Sequence, residues 1–193
     1  MLASILLPFA ACPAKADFDG PYSLTPPNPG NYSYSGFPPR SFGDWTASGA
    51  NSVVDTLNAP AQLYLQVPSA YFFPQELQFS THALADGMVV FDATAVSSFM
   101  GDVSWFKQAA GGNPTLVPLD AGPSGLPLHY SIKVLAGDQF GFLLLSGADV
   151  ILPGQPPCHS LTVSGFSAPV PEPGSGALLA ASAALLFAWS RRR

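Results

Sequence analysis

From residue 53 onward, apolar and polar residues alternate with a period of two in short runs. The runs are Val53–Leu57, Gln62–Val67, Glu76–Ser80, Met88–Asp92, Val103–Lys107, Leu128–Val134, Gln139–Leu145 and Ser160–Phe166. Turn-forming residues (Pro, Gly, Asn or Asp) punctuate them. Successive side chains of a strand point to opposite faces, so each run gives one apolar and one wet face. Tyr130, Ile132 and Val134 alternate with Ser131 and Lys133, and Ala136-Gly137-Asp138 supplies a tight turn. Phe140 and Phe142 then return toward the same core, which predicts a hairpin. Residues 17–49, with Pro26-Pro27-Asn28-Pro29-Gly30, read as an irregular arm holding one strand over Phe42–Ala47. Strand-length runs at near-regular spacing predict an all-β fold, an antiparallel β-sandwich of jelly-roll-like kind.

The two ends break this pattern. Residues 1–16 carry an apolar run, Leu2 to Ala11, and then Ala14-Lys15-Ala16, a small-x-small triplet cleavable before Asp17. That is the layout of a secretory signal peptide, although no positive region precedes the apolar run, which suggests a start codon upstream. Two other readings stay open: Phe9-Ala10-Ala11-Cys12 as a degenerate lipobox with Cys12 lipidated, or an amino-terminal strand of a cytosolic protein. At the other end, Val170-Pro171-Glu172-Pro173 is followed by a nearly unbroken apolar run to Trp189, then Ser190 and Arg191, Arg192 and Arg193. The prolines stop a helix from starting earlier, while the Ala- and Leu-rich run favours one over about 174–190. Such a helix reaches roughly 25 Å, slightly short of a hydrocarbon core of about 30 Å. The arginines form a basic stop that holds the terminus cytoplasmic.

The order Val-Pro-Glu-Pro, apolar helix and terminal arginines resembles the PEP-CTERM sorting signal over residues 170–193. That resemblance implies recognition and processing by an exosortase-type membrane protease, after export through the inner membrane and transient anchoring there. Val134-Leu135-Ala136-Gly137-Asp138-Gln139-Phe140-Gly141-Phe142 and Phe166-Ser167-Ala168-Pro169 are similar to a hairpin and a closing strand of β-sandwich ectodomains found ahead of such tails. The implied organisation is a signal peptide over 1–16, an ectodomain over 17–169 and a sorting tail over 170–193. A shared sandwich implies a fold and no particular activity.

Composition narrows the partners. Only 10% of residues are charged, and the body from 17 to 169 has Arg40, Lys107 and Lys133 as its cations against ten aspartates and Glu76. A body so poor in clustered cations is not expected to bind nucleic acid. His82, His129 and His159 are isolated and no Cys-x-x-Cys spacing occurs, so neither a metal site nor a cofactor is expected. Asp17-Phe18-Asp19-Gly20 is a faint calcium-type pattern lacking the other ligands of a loop. Cys158, beside Pro156-Pro157, reads as a loop thiol. Without a Gly-x-Ser-x-Gly elbow or a selectable pair of carboxylates, no catalytic residue is predicted and the chain is not expected to be an enzyme. Among aromatic residues, Trp45, Tyr71, Phe72 and Phe73 are the candidates for stacking on a sugar, with Trp105 and Tyr64 behind them.

These readings predict an exported protein of the cell surface or extracellular matrix, structural or adhesive and associated with exopolysaccharide or biofilm. A carbohydrate-binding sandwich module is the alternative, and a secreted hydrolase a distant third.

Overall fold

The computed structural model describes residues 18, 22–24, 31–34, 39–49, 52–68, 75–97, 101–120, 125–147 and 158–171. The residues expected to form a signal peptide, including Ala14 and Ala16, lie outside them, as do Tyr71, Phe72, Phe73, Glu172, Pro173 and the apolar run with Arg191, Arg192 and Arg193. Among the described residues no helix is long and apolar enough to cross a membrane.

Twelve strands are described: β1 (Asn31–Tyr34), β2 (Arg40–Phe42), β3 (Trp45–Gly49), β4 (Ser52–Asp55), β5 (Gln62–Pro68), β6 (Gln75–His82), β7 (Gly87–Val96), β8 (Gly101–Gln108), β9 (Thr115–Pro118), β10 (Leu128–Val134), β11 (Gln139–Ser146) and β12 (Cys158–Ser167). One antiparallel sheet runs β1-β4-β5-β12-β7-β10 and the other β2-β3-β6-β11-β8-β9. The last eight strands pair in nested fashion, β5 with β12, β6 with β11, β7 with β10 and β8 with β9, in alternating sheets. That is a long antiparallel ribbon rolled up on itself, the winding of a jelly roll.

The expected period-two faces are present. Leu63, Leu65 and Val67 of β5, Val89, Phe91, Ala93 and Ala95 of β7, and Leu161 and Val163 of β12 all turn inward. Phe140, Phe142 and Leu144 of β11 meet them from the other sheet. Phe142 lies edge-on to Phe91 with ring centroids 5.3 Å apart, so the two sheets lock through aromatic contacts.

Three expectations need correction. First, β10 and β11 form no hairpin, because they belong to different sheets and the segment between them is a corner. Its hydrogen bonds go to the parallel corner between β6 and β7: Ala83 N–H donates to the Asp138 carbonyl and Gly137 N–H to the Ala83 carbonyl. Gly137 sits there at φ 85°, a left-handed conformation that glycine adopts without steric cost. Second, the segment from 17 to 49 is not simply an irregular arm. It supplies β1, the β2–β3 hairpin, and Phe18, Tyr22 and Leu24, all fully buried. Third, Cys158 opens β12 in register with Pro68 instead of lying in a loop. Phe18 stacks on Phe166 at 4.5 Å, so the Asp-Phe-Asp-Gly segment has its aromatic residue in the core.

Candidate functional site

The chain leaves the sandwich at the end of β12, and the residues that hold this exit come from four distant parts of the sequence. β12 is an interior strand paired with β5 and β7, and it carries Phe166 and Ala168 into the core just before the apolar pattern stops. Tyr22 lies across this exit. Its hydroxyl donates to the Pro169 carbonyl at 2.8 Å and accepts from the Leu84 N–H at 3.0 Å. Its own carbonyl accepts the Trp45 indole N–H at 3.0 Å. One side chain thereby ties the amino-terminal segment, the β6–β7 corner and the end of β12 together. Burial pushes the Tyr22 phenol above its ordinary value, opposed by the Leu84 hydrogen bond, so the hydroxyl remains a donor at neutral pH.

Gly87 completes the seat. A Cβ placed there would stand 2.6 Å from the Pro169 Cβ, so the proline ring can pack on β7 only because position 87 has no side chain. Val170 packs partly buried against the core, and Pro171 is exposed. The folded body therefore ends one residue before the Pro-Glu-Pro triplet, with no spacer.

The aromatic candidates divide sharply. Trp45 is not a sugar platform: it is fully buried, stacked on Phe79 at 5.1 Å and edge-on to Phe140 at 5.9 Å. Its indole N–H finds the Tyr22 carbonyl inside the protein, which removes the usual reason for tryptophan to stay near the surface. Trp105 is also fully buried, its indole N–H having no hydrogen-bond partner among the described residues. Tyr64 is half-buried, with its hydroxyl on Gln66.

The histidines stay apart. His82 is exposed at the end of β6, His159 is fully buried on β12, and His129 is exposed on β10 with its Nδ1 2.8 Å from Asp92 Oδ1. Among the described residues no group of three or more His, Cys, Asp or Glu side chains could hold a metal ion. Sequence reasoning missed Tyr22, Leu84 and Gly87. Tyr22 stood in a proline-rich stretch without periodicity, and its partner Pro169 is 147 residues away.

What these residues define is a jelly-roll body whose chain is held at Pro169 and Val170 as it leaves the last strand, with Pro171 exposed. Residues 169–193 match the PEP-CTERM protein-sorting motif. The match begins at Pro169, the residue whose carbonyl Tyr22 holds. A motif of this class implies export, transient membrane anchoring and processing by an exosortase, itself a membrane protein. No curated protein matches the chain. Among solved structures, a family 29 carbohydrate binding module is similar at 11% identity, covering 72% of this chain and 89% of that one, with a TM-score of 0.40. TmCBM61 in complex with β-1,4-galactotriose is similar at 13% identity, covering 64% and 86%, with the same TM-score. Similarity at this level says nothing about what this chain binds.

Proposed function

We propose that this chain is an exported surface or extracellular-matrix protein whose jelly-roll body acts structurally or adhesively alongside exopolysaccharide, without catalysing a reaction. The observation that carries the reading is the sorting motif joined directly to a folded body, with Pro169 and Val170 held and Pro171 exposed. A body with few cations supports a scaffold over a nucleic-acid binder. After anchoring, processing at the tail transfers the body to the surface or the matrix.

Fractionation of a host that contains an exosortase and makes exopolysaccharide tests this. The wild-type chain is expected in the surface or matrix fraction, and enzymatic digestion of the polysaccharide is expected to release it. A chain with Pro171, Glu172 and Pro173 all changed to Ala is expected to stay in the inner membrane. Wild-type protein confined to the inner membrane would remove the surface role, and a distribution unchanged by digestion would remove the link to polysaccharide. Retardation in polysaccharide-containing native gels, lost on Tyr71→Ala in a folded protein, would instead make the body a carbohydrate-binding module.

A further inference from the structure

We propose that the end of the sandwich from which the tail leaves is a membrane-docking face, seated on the phospholipid surface while the tail is inserted. The proposal rests on the tail entering the membrane, but the face itself belongs to the body.

Chain length is the first argument. Val170 is packed on the core and the apolar run begins at Gly174. Four residues span at most about 14 Å when fully extended. The headgroup layer on one side of a bilayer is itself about 5–8 Å thick. An inserted tail therefore leaves the exit end no room to stand away from the lipid surface.

The exit end is also built for that contact. Leu84, Met88 and Leu135 are 44%, 47% and 50% exposed, although they are large and apolar. Leu84 and Leu135 sit on the two corners joined by the Ala83–Asp138 and Gly137–Ala83 hydrogen bonds, and the Leu84 N–H shares the Tyr22 hydroxyl with the Pro169 carbonyl. Met88 lies one residue past Gly87, on which Pro169 packs. Leu84 and Leu135 thus border the point where the tail begins, and Met88 lies at the same end on the outer face of β7.

Lys133 stands in register with Met88, and the Lys107 ammonium donates to the Lys133 carbonyl at 2.9 Å. Two of the body's three cations are therefore beside the exit, in an otherwise acidic body. Three carboxylates share this end, each accepting a backbone N–H: Asp44 from Ser23, Asp86 from Ala136 and Asp138 from Leu135, with Asp44 and Asp86 exposed. Exposed leucines and a methionine, with lysines whose stems can lie along apolar surface, fit the headgroup and acyl boundary of a phospholipid leaflet. Docking there holds Pro171-Glu172-Pro173 at headgroup level, within reach of a protease embedded in the same bilayer.

Strand β7 supplies the ruler for a test. Met88 and Val96 are both exposed and lie eight residues apart on it, about 27 Å along the strand. The full chain, with Cys12 and Cys158 changed to Ser, is given one cysteine at position 88, 135 or 96 and labelled there with an environment-sensitive dye. It is then reconstituted into vesicles of phosphatidylethanolamine and phosphatidylglycerol containing brominated lipid. Dyes at 88 and 135 are expected to lose at least half their emission to the bromines, and the dye at 96 to keep it. Chains that float with the vesicles and show equal emission at all three sites would overturn the docking face and leave the tail reading standing. Chains that fail to float would overturn both. Amide hydrogen exchange on the unlabelled full chain gives an independent readout, with slower exchange over 84–88 and 135–138 expected on reconstitution. Equal protection of those corners without lipid would show that the tail or a second copy covers them, and the proposal would fall.

Discussion

β12 and β9 are both apolar in sequence, yet the structure treats them in opposite ways. β12 has neighbours on both edges, buries His159, Leu161, Val163 and Phe166 fully, and ends in the seat that holds Pro169. β9 pairs with β8 alone, and of its four residues only Val117 is partly buried, while Leu116 is 48% exposed. The difference shows that apolar content does not bury a strand. Neighbours on both sides, and enough length to reach across the opposing sheet, do so.

That contrast predicts a graded set of stability changes. The largest belongs to the interior strands. Phe142→Ala on β11 removes a fully buried ring that packs on Phe91 and Trp45, and is expected to cost about 3–5 kcal/mol in denaturant unfolding. A cost as small as that of an edge residue would mean that β11 is not interior.

The next effect tests the seat at the end of β12. Tyr22→Phe keeps the ring but leaves the Pro169 carbonyl and the Leu84 N–H without their partner, at a cost of about 1–3 kcal/mol. The same phenol gives a pH dependence. Its folded value lies above the ordinary phenol value of 10.0 because burial disfavours the phenolate. The contribution is therefore complete below pH 10.0 and is lost as pH rises through the folded value. Tyr130 is displaced in the same direction, chiefly by burial, so Tyr22→Phe is expected to reduce the alkaline loss without abolishing it. An alkaline limb identical in the variant and the wild type would show that Tyr22 does not titrate as placed.

The smallest effect belongs to the edge. Leu116→Ala on β9 is expected to change stability by no more than about 0.5 kcal/mol, since the residue is 48% exposed on an edge strand. A loss of several kcal/mol would put β9 in the core and dissolve the comparison.

The same contrast explains what could be read in advance. β5, β7, β11 and β12 were legible because each places at least three alternate residues in the core, enough to impose a period of two on the sequence. β1, β2 and β9, of three or four residues each, went unread. The corner after β10 looked like a hairpin turn because Gly137 and Asp138 fit either. What decides is the hydrogen-bonding partner Ala83, more than fifty residues earlier. Trp45 was misplaced for a related reason, since the Tyr22 carbonyl that accepts its indole N–H inside the protein is invisible from the local pattern. The sorting motif lay open because its three parts are contiguous, whereas the seat that presents it is assembled from four separate segments.

The sorting role itself comes down to the mature carboxyl terminus. The most direct measurement is mass spectrometry of the carboxyl-terminal peptide from protein recovered outside the inner membrane of an exosortase-containing host. A terminus at or near Pro171-Glu172-Pro173, with the apolar run and the arginines gone, is the expected result. Recovery of that exported protein with Arg193 intact would contradict processing at the tail and leave residues 174–193 as a permanent anchor.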